Sequence, residues 1–172
     1  MKIELLRFEH KKLRAQVIKE YLSKSTRYKG VVCFSCGNAS RELKNAGLNV
    51  IDISPTGDFI ANRWFTPSEI REVFPDYLDA TSGHLSMELM NMIAERFYIE
   101  LNGVLDDVNY VPTGSGETLV CLKLAFPEKK FVAVYNLDEA TEYSDDCVLN
   151  DLVKLLASEI IYEPDKEIDY AF

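Results

Sequence analysis

An α/β fold, with a mostly parallel sheet in three layers between flanking helices, is what this sequence predicts, and three observations point to it. Short apolar runs bounded by turn residues alternate with stretches of helical periodicity. Residues 31–34, the short helical stretch after them and residues 48–53 make a compact β-α-β unit, whose crossover demands parallel strands. A second apolar run, at 108–112, leads through a glycine loop into an amphipathic helix.

Taken in order, residues 3–6 read as a short strand. Leu13, Val17, Ile18 and Leu22 recur at helical spacing and predict a helix over 10–22. Lys29-Gly30 punctuates before the buried strand 31–34. A helix over 39–45 stops at Gly47, a C-terminal cap. Strand 48–53 ends in the turn Ser54-Pro55-Thr56-Gly57. Thr66-Pro67-Ser68-Glu69 has the makings of a capping box with proline at the first helical position, so a helix starts there and runs to Val73, before Pro75. After Gly83 a longer helix places Leu85, Leu89, Met92, Ile93 and Phe97 on one face. Strand 108–112, a helix through Phe126, strand 131–135 and a last helix over 148–161, with a strand near its end, complete the reading.

The chain has 172 residues, 47% of them hydrophobic, which suits a single domain over 1–172 with an acidic tail at about 163–172. No apolar run is long enough to span a bilayer, and the N-terminus lacks the pattern of a signal peptide, so no membrane partner is expected and the cytoplasm is the default location. A net charge of −9 argues against nucleic-acid binding, which needs Lys and Arg against phosphates. It does not oppose a small anion held by a few oriented amides. Cys33-x-x-Cys36 reads as a redox pair, half a zinc site, or two reduced thiols. With no second pair and no ligand-like spacing of His10 and His84, packed thiols are favoured and no metal is expected. An exposed Trp64-Phe65 pair would mark a homodimer surface.

Three segments carry chemistry. In Pro112-Thr113-Gly114-Ser115-Gly116-Glu117-Thr118, glycines let backbone approach a ligand, and the helix that follows turns unpaired N–H groups toward an anion. Ser115 and Thr118 add hydroxyls; neither a Walker loop nor a dinucleotide fingerprint is present. The same loop also serves as a plain tight turn. Ser35-Cys36-Gly37-Asn38 repeats the strand-loop-helix context, with Asn38 either meeting a ligand or capping its helix. Lys12, between Lys11 and Arg14, is a solvated charge unless burial and neighbouring cations make it a nucleophilic amine.

In this order the segments resemble the fold-type II pyridoxal-phosphate enzymes, the group of threonine dehydratase, threonine synthase, cysteine synthase and the tryptophan synthase β subunit. The resemblance spans about residues 11–135 and implies a reduced version of that fold. It further implies that Lys12, in Lys12-Leu13-Arg14, carries the cofactor as a Schiff base. Asn38 would contact the ring hydroxyl, while the amides of Ser35, Cys36, Gly37 and Ala39 bind the substrate carboxylate. Gly114, Ser115, Gly116, Glu117 and Thr118 would hold the phosphate. Thr81-Ser82-Gly83-His84-Leu85-Ser86-Met87-Glu88 resembles the family's Gly-x-x-Thr-x-x-x-Glu helix start, where His84 either contacts substrate or caps the turn.

Two functions follow as expectations. One is a lyase- or transferase-like enzyme that uses pyridoxal phosphate on a small amino acid. The other is a non-catalytic descendant that binds an anion, a nucleotide or a partner protein. The first is the leading reading; the second draws its support from Ile53 leading almost directly to the Gly83 segment and from the lack of a residue assignable as partner of the pyridine nitrogen, and His10-Lys11 stands where the family has Ser-Phe.

Overall fold

The structure, a computed structural model, describes residues 10–34, 38–53, 66–136 and 148–163. The expected strand at 3–6, the turn after Ile53, Cys36, Cys147, the Trp64-Phe65 pair and the acidic tail lie outside the described residues. The chain divides into two compact units, Lys11–Leu89 and Met1–His10 with Met90–Phe172.

In Lys11–Leu89 the elements are α1 (His10–Ser23, its first residue in the other unit), β1 (Gly30–Phe34), α2 (Asn38–Asn45), β2 (Val50–Ile53), α3 (Pro67–Val73) and β3 (Tyr77–Asp79). The strands form one parallel sheet in the order β2-β1-β3. β1 is central, which is why Val31, Val32 and Cys33 are apolar without alternation: both faces are covered. Val32 and Ile70 pack with Ile51, Ile53, Phe74 and Tyr77, so α3 is held by the sheet. The capping box forms as expected: Glu69 N–H donates to Thr66 Oγ1, and Thr66 N–H to the Glu69 carboxylate. Gly47, at φ +85°, ends α2 with its N–H on Lys44 O, as the sequence implied.

β3 escaped the sequence reading. Tyr77-Leu78-Asp79 has no apolar run and follows Pro75; it is a strand because β1 offers it a free edge, in register Val31↔Leu78. Gly30 is no mere punctuation either. It opens β1 and lies so close to Asn49 that an added Cβ would sit 2.2 Å from the Asn49 carbonyl oxygen.

α2 and β2 are tied by polar groups. Ser40 Oγ donates to Asp52 Oδ1 at 2.5 Å, and Lys44 Nζ pairs with Asp52 Oδ2. The Lys44 ammonium, then the Ser40 hydroxyl, hold the Asp52 carboxyl below its ordinary value of 3.8. A depressed folded-state pKa contributes stability above the unfolded value, and that stability is lost as pH falls through the folded value. Asp52→Asn should therefore lower the urea midpoint at neutral pH but leave it unchanged well below pH 3.8. Equal loss at both pH values would show that the pair has no ionic character.

The second unit contains most of α4 (Met87–Leu101), then β4 (Val108–Pro112), α5 (Glu117–Ala125), β5 (Lys130–Asn136), α6 (Val148–Leu156) and β6 (Glu159–Glu163). Its sheet runs β4-β5-β6, again parallel throughout. Central β5 buries Phe131, Val132, Ala133 and Val134; α5 buries Leu119, Val120, Cys121 and Leu122. On α4, Leu89, Ile93 and Phe97 are buried and Met92 is half-buried, as the periodicity implied. The last predicted helix is shorter than expected. Ser158 leaves the helical path to bond Phe131 O through both its N–H and its hydroxyl, which releases Ile160 and Ile161 to pair with β5. Cys33 and Cys121 are both buried.

Candidate functional site

The glycine loop lies wholly in the second unit, at the carboxyl end of β4. Thr113 continues the strand through its N–H on Val134 O, and its hydroxyl folds back to Val111 O. Gly116 then takes φ +91°, a left-handed conformation natural only to glycine, and forms the N-cap of α5 with no side-chain cap bond. The helix end thus relies on backbone donors and its dipole. Ser115 Oγ is 3.5 Å from the Glu117 N–H, at the outer limit of a hydrogen bond.

Two side chains complete this end. Glu117, at the first helical position, is 1% exposed, where the dipole of α5 favours its negative charge. Thr118 Oγ1 meets His10 Nδ1 at 3.0 Å, and the fully buried His10 ring stands edge-on to Phe97. Sequence reasoning missed His10. It lies 108 residues from Thr118, and no local pattern signals such a pairing. A groove of about 620 Å³ between α4 and α5 of the same unit, with Tyr98, Ile99 and Leu124 in its wall, includes none of the residues named from the sequence.

The remaining candidates belong to Lys11–Leu89. Lys12 is exposed, on the first turn of α1. Lys11 is half-buried, with Nζ donating to Ser82 Oγ at 3.2 Å. Arg14, expected only as a charged neighbour, is 1% exposed and donates through its guanidinium to Ala80 O at 2.6 Å. Asn38 begins α2, and Ala39 is buried beside it; Ser35, Cys36 and Gly37 lie outside the described residues.

Residues 79–84 form a tight, polar turn. Asp79 Oδ1 accepts from Thr81 N–H, and the His84 N–H donates to Thr81 O. His84 Nδ1 lies 2.7 Å from Asp79 Oδ2, so the carboxylate orients the ring and Nδ1 carries the shared proton. Gly83 allows the reversal at φ +92°. Through this contact His84 braces the turn. The Thr81 hydroxyl is buried without a hydrogen-bond partner. Ser86 Oγ accepts from Leu89 N–H and starts α4. Among the described residues, no group of three or more His, Cys, Asp or Glu is arranged to hold a metal, and no helix is long and apolar enough to cross a membrane.

No family model matches the chain, and no curated protein matches it either. The crystal structure of O-ureido-L-serine synthase does match, with a TM-score of 0.52 over 91% of this chain. The likeness is one of α/β fold. The identity is 13%, so the likeness speaks for the fold and leaves the chemistry to the residues. The chain spans 64% of that protein's length. What the two share is the plan of parallel strands with flanking helices.

Proposed function

We propose that this chain binds pyridoxal phosphate and acts on a small amino acid by α,β-elimination, β-replacement or deamination. The observation that carries the reading is the junction of β4 and α5. There a glycine at φ +91° forms the N-cap of a helix and contributes no side-chain cap bond, in a fold shared with an amino-acid synthase. The donor set suits a phosphate: the first amides of α5, with the hydroxyls of Ser115 and Thr118 beside them. Glu117 works against it, as a like charge at the same helix end.

Pyridoxal phosphate, when bound, would supply an electron sink for the chemistry at the amino acid's α-carbon. The chain does the rest. A lysine on the first turn of α1, Lys12 by the sequence match, provides the amine that holds the aldehyde and moves the α-proton. By the same resemblance, the amides of Ser35, Cys36, Gly37 and Ala39 would grip the substrate carboxylate and Asn38 would bond the ring hydroxyl. The second reading keeps the pocket but loses turnover, leaving a binder of an anion, a nucleotide or a partner protein. Buried Glu117 favours it.

An absorption spectrum with and without added pyridoxal phosphate tests the proposal. A band near the visible edge is expected, bleached by borohydride and lost in the Lys11→Ala/Lys12→Ala double variant. A folded protein that stays colourless at saturating cofactor would leave only the second reading.

A further inference from the structure

We infer that Lys11, and not Lys12, is the amine that reacts with a carbonyl ligand, and that Ser82 positions it. The inference rests on the pyridoxal-phosphate reading and names the reacting atom within it.

Neighbouring residues on a helix point about 100° apart, so two adjacent lysines cannot serve one cavity equally. α1 shows which side each takes. Lys12 falls in line with Gln16, Lys19 and Glu20, all exposed. Lys11 falls in line with Arg14, Ala15 and Ile18, all buried. The Lys11 stem therefore lies along the covered side of the helix, and its Nζ reaches Ser82 at 3.2 Å.

The place it reaches is where parallel sheets hold ligands. The chain leaves β1 toward β2 on one side and returns to β3 on the other, so the strand order reverses at β1. Crevices at such reversals, beyond the carboxyl ends of the strands, are the usual ligand sites of α/β sheets. Ser82 follows β3 directly at that end, and Ala80 N–H still bonds β1 at Val32 O.

The chemistry agrees. An amine attacks a carbonyl only when neutral, and partial burial together with a nearby cation disfavours the ammonium. Lys11 has both: it is half-buried, and the buried Arg14 guanidinium, one turn along α1, bonds the same short turn at Ala80. Lys12 is exposed instead.

In the reaction the Nζ lone pair bonds to the aldehyde carbon, Nζ loses its two protons, and the carbonyl oxygen leaves with them as water. Borohydride then adds hydride to that carbon, and the nitrogen takes a proton from solvent. The product is a stable secondary amine whose position can be read.

The test treats the full chain with limiting pyridoxal phosphate, reduces it with borohydride and cleaves it after glutamate, so that Lys11 and Lys12 share one peptide, residues 10–20. Fragmentation mass spectrometry then assigns the adduct. At least tenfold more label on Lys11 than on Lys12 is expected. Lys12→Ala should keep the label, and Lys11→Gln, which keeps a polar side chain but no amine, should lose at least tenfold while melting normally. Ser82→Ala should cut labelling several-fold, with recovery in Ser82→Thr, a rescue that a bystander hydroxyl would not produce. Label on Lys12 alone would overturn the inference and leave the cofactor reading standing. Label spread evenly over exposed lysines, or none at all, would overturn both.

Discussion

Gly30→Ala is expected to lose about 3 kcal/mol of stability, the upper part of the range for forcing extra atoms into a packed interior. The reason is local and severe. The new Cβ would lie 2.2 Å from Asn49 O and 2.9 Å from Asn49 Cβ. The first of these is backbone and cannot swing aside. That carbonyl also accepts the Val31 N–H at 2.9 Å, so relieving the clash stretches the first rung between β1 and the segment entering β2. Because β1 is the central strand, both its partners depend on its position. A domain of this size has on the order of 5–15 kcal/mol in hand, so the variant should remain folded with a clearly lower urea midpoint. A change below about 0.5 kcal/mol, the size of an ordinary surface substitution, would mean that the two segments are not pressed together at this point.

Arg14→Ala should cost about 2–4 kcal/mol, from the lost charged hydrogen bond and the void left by a long, fully buried side chain. Its guanidinium donates to Ala80 O at 2.6 Å. Without it that carbonyl loses its side-chain donor in a turn that also carries Ser82. Arg14→Lys should recover only part of the loss, since an ammonium on a flexible stem does not reproduce the planar fork. Thermal melts of the three proteins measure this. If alanine matched the parent, the buried charge would have to be one that the fold tolerates rather than uses. Arg14→Ala should also scatter the Lys11 adduct, because Lys11 and Arg14 bond to the same short turn.

Much of the fold was readable because its signals are local. The capping box at Thr66 is complete within four residues, Gly47 stops α2 by its own backbone, and the apolar strings of β1 and β5 are continuous because both faces of a central strand are covered. The glycine loop was legible for the same reason: left-handed φ at Gly116 is a property of that residue and its turn. β3 was not legible, since Tyr77–Asp79 becomes a strand only by lying beside β1. The choice between two adjacent lysines was equally hidden. A Lys-x-Arg match nominates Lys12, yet the side on which a helix is covered depends on what packs there, and the apolar stripe at Leu13, Val17, Ile18 and Leu22 did not reveal that Arg14 is buried.

The sequence alone determined the parallel α/β class and the strand-loop-helix junction at 113–117, because these follow from short-range periodicity and glycine stereochemistry. Tertiary structure alone decided that His10 meets Thr118 across 108 residues and that Lys11 and Arg14 converge on the turn after β3. It also separated the strands into two sheets of three. These pairings have no local cause. They exist because packing the apolar faces brings distant polar groups into reach, where each must find a partner out of water.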